Sequence, residues 1–230
     1  MSTASRIHIK LLVDGSEIEG AVDLPTPSHL KNPPRRALLP VLQQLTDAVV
    51  NIAEQRAADA ASPISCKKGC DACCRQMVPI TPTEAHFLAH LLNALDAPLA
   101  ARIRDRFQNA LAALDSAGLL QKLLHRHLLP PEQLAQLDRH YFSLQLPCPF
   151  LEDHACSIHQ HRPLACREFL VTSDPLHCTD PGSGRVAQVE LGARISHALL
   201  ATEPWLPLSL VPTFTTENPE PIPTLTPPDD

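Results

Sequence analysis

The sequence predicts a mainly α-helical fold with short β-ribbons, in which a cysteine-rich region is built into a compact body. Three observations lead to this prediction. Apolar residues in the middle of the 230-residue chain recur at steps of three and four, which is the spacing of an amphipathic helix. Alternation with a period of two is clearest in residues 6–24, and the eight cysteines fall in two separate segments.

The N-terminal residues predict a β-hairpin followed by an extended strap. Residues 6–12 and 18–24 alternate apolar and polar side chains, and Asp14-Gly15 lies between them as a turn. Several prolines then interrupt any regular element over residues 26–36. We expect a small β-ribbon that a linker joins to the rest of the chain.

Helices are predicted from Pro40 onwards. Apolar residues form one stripe over residues 40–61. Residues 81–84, Thr-Pro-Thr-Glu, combine an N-cap hydroxyl, a proline and a glutamate in a capping box that starts a second helix. Pro98 opens a third helix that Gly118 ends, and helical character resumes after the break at Pro130-Pro131.

The second half of the chain alternates short elements with loops. We expect a hairpin over residues 150–158, a helix starting at Pro163 and another helix spanning residues 186–199. Residues 205–214 are apolar enough to dock as an extended strap, and the proline-rich, acidic residues 215–230 predict a disordered tail. The predicted domains are residues 1–30 (ribbon and strap), 31–202 (helical cysteine-cluster domain) and 203–230 (proline-rich strap and acidic tail).

Charge and composition argue against nucleic acid and membrane as partners. The chain carries 19 Lys and Arg against 25 Asp and Glu, and aromatic residues make up 3% of it. It therefore has neither the positive field nor the stacking surfaces that nucleic-acid binders use. Apolar runs stay below the roughly 18 residues of a spanning helix, and the first residues lack a secretory signal. We expect a cytoplasmic protein.

The first cysteine segment spaces four thiols closely. Cys66, Cys70, Cys73 and Cys74 follow a C-x3-C-x2-C-C pattern between two predicted helices. A helix would place all four on one face, whereas a loop would let Gly69 wrap the backbone around an ion. Neighbouring lysines, arginine and aspartate make the segment a poor apolar core, so inert buried thiols are the less favoured interpretation.

The second cysteine segment is more widely spaced. It contains Cys148, Cys156, Cys166 and Cys178. The predicted hairpin presents the first two near its base, much as zinc ribbons present their ligands. The helix that starts at Pro163 places Cys166 in its first turn, where the helix dipole is expected to stabilise a thiolate. The cations beside the cysteines, which would offset the charge of a thiolate site, are Lys67, Lys68, Arg75, Arg162 and Arg167.

Thiolate-rich sites select soft metal ions. In a reducing compartment clustered cysteines are rarely disulfides, so we expect Zn²⁺ or iron, including an iron–sulfur cluster, with Cu(I) as a further candidate. Eight thiols suffice for two four-sulfur sites or for one cluster with spare thiols. His154, His159, His161 and His177 are less favoured replacement ligands, and His86 with His90 are interpreted as a solvated helix face.

The composite cysteine pattern resembles a known family. The chain is similar to the YkgJ-type cysteine-cluster family of zinc- or iron-chelating domains. The similarity lies in residues 66–74, in Cys148-Pro-Phe-Leu, in Cys156-x-Ile and in Arg162-Pro-x-x-Cys-Arg-x-Phe. The resemblance covers about residues 66–178. It implies a bacterial protein whose cysteines bind metal, and its relatives include a flagellin lysine methylase with an iron–sulfur cluster. The three-cysteine spacing of radical S-adenosylmethionine enzymes is also present, but the helical residues 81–140 differ from their alternating strands and helices.

The predicted function is metal binding through a two-segment cysteine cluster, in a structural or regulatory role. The alternatives are an iron–sulfur enzyme related to a protein-lysine methylase and a thiol redox protein. The sequence singles out no catalytic residue and no protein partner, so whether the chain is an enzyme stays open.

Overall fold

Helices and two-stranded sheets form the described parts of the chain. The structure is a computed structural model, and it describes residues 4–13, 16–25 and 39–219. The strands are β1 (Ala4–Val13), β2 (Ser16–Pro25), β3 (Pro79–Ile80), β4 (Leu151–Glu152), β5 (Ala155–Cys156) and β6 (Leu206–Pro207). The helices are α1 (Leu39–Asp59), α2 (Pro82–Ala94), α3 (Ala97–Ser116), α4 (Leu120–Leu124), α5 (Pro131–Ser143), α6 (Leu164–Glu168), α7 (Ile195–Leu200) and α8 (Val211–Glu217).

The predicted N-terminal hairpin is confirmed. β1 and β2 pair antiparallel over their whole length, with Ile9 opposite Gly20. The two-residue turn at Asp14-Gly15 and the predicted strap at residues 26–36 lie outside the described residues. β2 lies beside α1, which follows the predicted helix over residues 40–61 closely.

Two helices form the centre of the fold and begin where the sequence predicts. α2 starts with a complete capping box, in which the Thr81 side chain accepts from the Glu84 N–H and the Glu84 side chain accepts from the Thr81 N–H. α3 starts at an Asp96 N-cap and is followed by Gly118 in a left-handed conformation, φ +67°. Their buried faces contribute Leu88, Leu92, Ile103, Phe107 and Leu114 to the main apolar core.

The main core also takes in α4, α5 and the cysteine hairpin. Leu123 and Tyr141 are buried in it, and so is Phe150, whose ring meets Phe107 edge to face at 5.5 Å. The hairpin that follows Cys148 is therefore seated directly on the helical body. None of the helices in the described ranges is long and apolar enough to cross a membrane.

The C-terminal segment differs from the predicted extended strap and tail. Only Leu206–Pro207 is extended, as β6, and it pairs with β3. A 3₁₀ turn and α8 follow, so that residues 211–217 are helical and the start of the predicted tail is part of a helix. Leu206, Leu208 and Val211 are buried in the main core. Burial of this apolar run against α2 and α3 favours helix over strap, while residues 220–230 lie outside the described range.

The predicted helix over residues 186–199 is wrong in its first half. Gln188 instead forms a β-bridge with Val171, and the helix is limited to Ile195–Leu200. Gly192, which has a low helix propensity, separates the two parts. The division into three domains stays a prediction.

Candidate metal centre

The first cysteine segment lies in the connection between α1 and β3. Gly69 has φ = +88°, a left-handed backbone conformation that favours glycine, so the chain turns sharply just before Cys70. A 3₁₀ helix over Ala72–Arg75 follows and carries Cys73 and Cys74. Of the two conformations that the sequence left open, the structure has the loop, with one short helical turn at its end.

The second segment begins with the predicted hairpin. β4 and β5 pair so that Cys156 lies opposite Leu151. Asp153 and His154 form the turn with φ values of +47° and +60°, the left-handed conformation that a type I′ turn requires at both positions. The Cys148 carbonyl accepts from the Leu151 N–H at 2.8 Å, which places Cys148 at the base of the hairpin.

The two cysteine segments meet at the vicinal pair. The Cys148 N–H donates to the Cys74 carbonyl at 2.7 Å. Cys73 and Cys166 line one cavity of about 190 Å³. Backbone and side chains of stretches that are far apart in sequence therefore converge beside the Ala72–Arg75 turn.

Cys178 reaches the same turn from another side. It lies in a 3₁₀ helix over Pro175–Thr179 that packs beside the first segment. Its buried side chain shares a small apolar cluster with Val171, and Cys66 and Cys70 pack against that cluster. The most distant predicted ligand is thus brought to the first two cysteines.

Charge on Cys73 affects the pKa of most of the other thiols. A hydrogen bond between the vicinal thiols lowers the pKa of Cys73 and raises the pKa of Cys74. Burial raises the pKa of five further thiols, and negative charge on Cys73 raises each of them more. These five thiols are Cys66, Cys148, Cys156, Cys166 and Cys178.

The expectation that the helix dipole stabilises a thiolate at Cys166 is wrong. α6 follows Pro163, as predicted, but it has only five residues. Burial raises the pKa of Cys166 well above its ordinary value, and the charges of Cys148 and Cys73 raise it further. So short a helix supplies too small a dipole to offset this desolvation.

The sulfur atoms of the cysteines are chemically suited to bind a soft metal ion. The eight cysteines form no disulfide, and thiolates are the ligands that Zn²⁺ and iron–sulfur clusters use. Within the described ranges, no three Cys, His, Asp or Glu side chains could hold a metal ion as they stand. Neutral thiols have no cation to draw them to a common centre, so coordination would require deprotonation and rotation of these side chains.

Arg162 is the flanking cation that acts most directly on the thiols. Burial raises the pKa of Cys156 and of Cys166, and the positive charge of Arg162 opposes that rise. The buried Arg162 Nε has no hydrogen-bond partner among the described residues. Arg167 is instead paired with Asp47, at 2.7 Å.

A buried glutamate positions the helix that carries Cys166. Glu84 Oε2 accepts from the Thr81 N–H, and Oε1 accepts from the Leu164 N–H, each at 2.9 Å. One carboxylate thus holds the first turns of α2 and α6 together. The sequence identifies the capping box but not the bond to Leu164, because the two residues are 80 positions apart.

Two arginines of α3 bind the carboxylate of Glu152 in the cysteine hairpin. Arg102 Nε and Arg106 Nη2 lie 2.9 Å and 3.2 Å from the Glu152 carboxylate. Arg106 also donates to the Pro149 carbonyl at 3.3 Å. These two arginines attach the cysteine hairpin to α3, and Arg104 bonds to a surface asparagine of α2.

The histidines among the cysteines contact other groups. His154 Nδ1 lies 3.1 Å from the Asp71 carboxylate. His159 Nε2 lies 3.0 Å from the Arg162 guanidinium. The remaining contacts are His161 with Phe87, His177 with the Arg185 carbonyl, and His86 with Phe214.

The region in which the thiols converge also carries a family match. Residues 65–179, half of the chain, match the model of the CxxCxxCC family, described as "Putative zinc- or iron-chelating domain". Comparisons with curated proteins and with solved structures return no match. The matched residues include all eight cysteines, and the family description supports binding of zinc or iron. The chain therefore belongs to the CxxCxxCC family.

Proposed function

We propose that this protein binds zinc or iron through Cys66, Cys70, Cys73, Cys74, Cys148, Cys156, Cys166 and Cys178, and that the metal joins the two halves of its cysteine region. The observation that carries the proposal is the convergence of both segments on the vicinal pair. Four of these thiols come from one loop and the others from three further elements, so a shared metal ion or cluster would cross-link the fold.

The thiols divide into two groups around Cys73. Among the charges that raise the pKa of Cys178, after burial, are those of Cys73, Cys66 and Cys70. For Cys166 the corresponding thiols are Cys148, Cys73 and Cys156. This division supports two adjacent four-sulfur sites, or one larger cluster, with the vicinal pair between them.

The proposed role of the metal is to stabilise the fold. Converging thiolates repel one another unless a cation lies between them, and metal binding supplies folding free energy where a site forms only in the folded state. Chelation under reducing conditions is therefore expected to lower the melting temperature, and re-addition of the metal to restore it. An unchanged melting curve, with metal removal verified by elemental analysis, would contradict the proposal.

Metal and sulfide analysis of anaerobically purified protein separates the alternatives. Stoichiometric zinc in colourless protein supports a structural or regulatory module. Iron with acid-labile sulfide supports an iron–sulfur enzyme related to the lysine methylase of the family, an alternative favoured by the cavity that Cys73 and Cys166 line. Titratable free thiols that pair reversibly in metal-free protein would support thiol redox chemistry instead.

A further inference from the structure

We propose that the cavity beside Cys73 and Cys166 binds a small aliphatic monocarboxylate, with Arg194 as the partner of its carboxylate group. Binding at Arg194 does not require metal. Any effect of the ligand on the metal rests on the proposed function.

The cavity has the size and lining of a site for a small apolar molecule. Its volume is about 190 Å³, below the roughly 300 to 1,000 Å³ of sites for drug-sized ligands. Met77, Val78, Phe169 and Leu200 supply apolar surface from β3 and its approach, from the end of α6 and from α7. A short aliphatic chain would pack against these side chains here.

Arg194 is a half-buried guanidinium that has no partner within the described ranges. It lines the cavity immediately before α7, and no hydrogen bond or ion pair joins its side chain to a described residue. The nearby Arg167, by contrast, is paired with Asp47 and bonded to the Arg162 and Gln160 carbonyls. A guanidinium without a protein partner, at the edge of a cavity with apolar side chains, is a group that can bind a carboxylate with two parallel hydrogen bonds.

The other charges of the cavity favour a monoanion over a phosphate. Glu168 also lines the cavity, and both of its oxygens accept hydrogen bonds from Ser196, one from the backbone N–H and one from the hydroxyl. That carboxylate already places one negative charge in the lining of the cavity. A single negative charge is neutralised by the guanidinium, whereas the second charge of a dianion is repelled.

Binding of the carboxylate ligand in the cavity is expected to change the affinity of the protein for metal. A ligand held by Arg194 extends along the wall that contains Cys73 and Cys166, and these side chains must rotate to coordinate a metal ion. Ligand and metal then change each other's affinity by the same factor.

The test uses the reduced, zinc-loaded full-length chain and pentanoate as the probe, with binding followed by ligand-observed NMR titration. Pentanoate is expected to bind more tightly than 1-pentanol and than inorganic phosphate. Arg194→Gln is expected to weaken pentanoate binding at least tenfold, the effect of losing a charge-assisted hydrogen bond. The control Arg185→Gln, at an exposed position outside the cavity, is expected to bind as the unchanged protein does.

The outcomes separate this proposal from the metal function. Equal pentanoate affinity in the unchanged protein and in Arg194→Gln overturns it, as does tighter binding of phosphate or pentanol. Arg194→Lys is the second variant if the first does not fold, and it is expected to bind with intermediate affinity; unchanged affinity there also counts against the proposal. A chain that binds no zinc but binds pentanoate through Arg194 contradicts the metal function and leaves the carboxylate site in place.

Discussion

Replacing Glu84 with glutamine tests whether one buried carboxylate positions the Cys166 helix. Each oxygen of the carboxylate accepts a hydrogen bond from a different backbone N–H, that of Thr81 or that of Leu164. Glutamine has nearly the same shape but only one acceptor oxygen. Whichever way its amide is turned, one of the two buried N–H groups faces an NH₂ group.

The structure sets the size of the effect. A buried donor without a partner costs about 1 to 3 kcal/mol, and the remaining bond loses the extra strength that a charged acceptor gives it. Burial raises the pKa of Glu84, which means that the folded protein bears a desolvation cost that glutamine removes. The net loss of unfolding free energy is about 1 to 3 kcal/mol, or a fall in melting temperature of about 2 to 12 °C for a domain of this length.

Thermal unfolding of Glu84→Gln and of Glu132→Gln provides the comparison. Glu132 also lies in the first turn of a helix that begins with proline, but it is exposed, so its substitution is expected to change stability by no more than about 0.5 kcal/mol. Because Leu164 opens the helix of Cys166, Glu84→Gln is also expected to weaken zinc binding. Equal melting temperatures and equal zinc affinities in the two variants would refute the proposed positioning role.

Two other predictions concern packing and pH. Phe150→Ala is expected to lower the unfolding free energy by about 3 to 5 kcal/mol in chemical denaturation, because the ring is 1% exposed. Leu128→Ala, at a leucine 70% exposed, is the matched control, and equal effects would contradict the packing argument. In metal-free, reduced protein, burial raises the pKa of Cys148 to about 12 and that of Cys178 to about 11. Unfolded thiols lose their protons near pH 9 while these folded thiols keep theirs, so stability measured by denaturation should fall between pH 8 and pH 10, by about 1.4 kcal/mol in total for each such thiol; constant or rising stability would contradict this.

Elements whose signals are local could be predicted from the sequence. The capping box at Thr81 and the glycine after α3 fix helix ends by hydrogen bonds within a few residues. The hairpin over residues 150–158 likewise forms from contacts between near neighbours, with its turn at Asp153-His154, one residue later than a turn centred on Glu152-Asp153. These elements form as predicted because tertiary contacts reinforce the local preference.

Features that depend on distant partners could not be predicted. Residues 211–217 contain Pro212 and three threonines, a composition that favours an extended segment, yet they form a helix packed against α2. The role of Arg106 depends on Glu152, 46 positions away. The cysteine spacing marks the thiols themselves, but only the fold shows that the Cys148 N–H donates to the Cys74 carbonyl.

The distribution of apolar contacts gives a reason for a metal cross-link on one side of the cysteine region. Cys148 and Cys156 pack against the large core formed by α2 to α5. The loop of the first segment instead rests on a small cluster whose buried residues are Ala72, Val171 and Cys178. So little apolar burial offsets only a part of the entropy lost in ordering these loops. In the chelation experiment, amide exchange should therefore accelerate first at residues 65–75 and 171–179, and only later in α2 and α3; uniform acceleration would mean that the metal stabilises the whole fold as one unit.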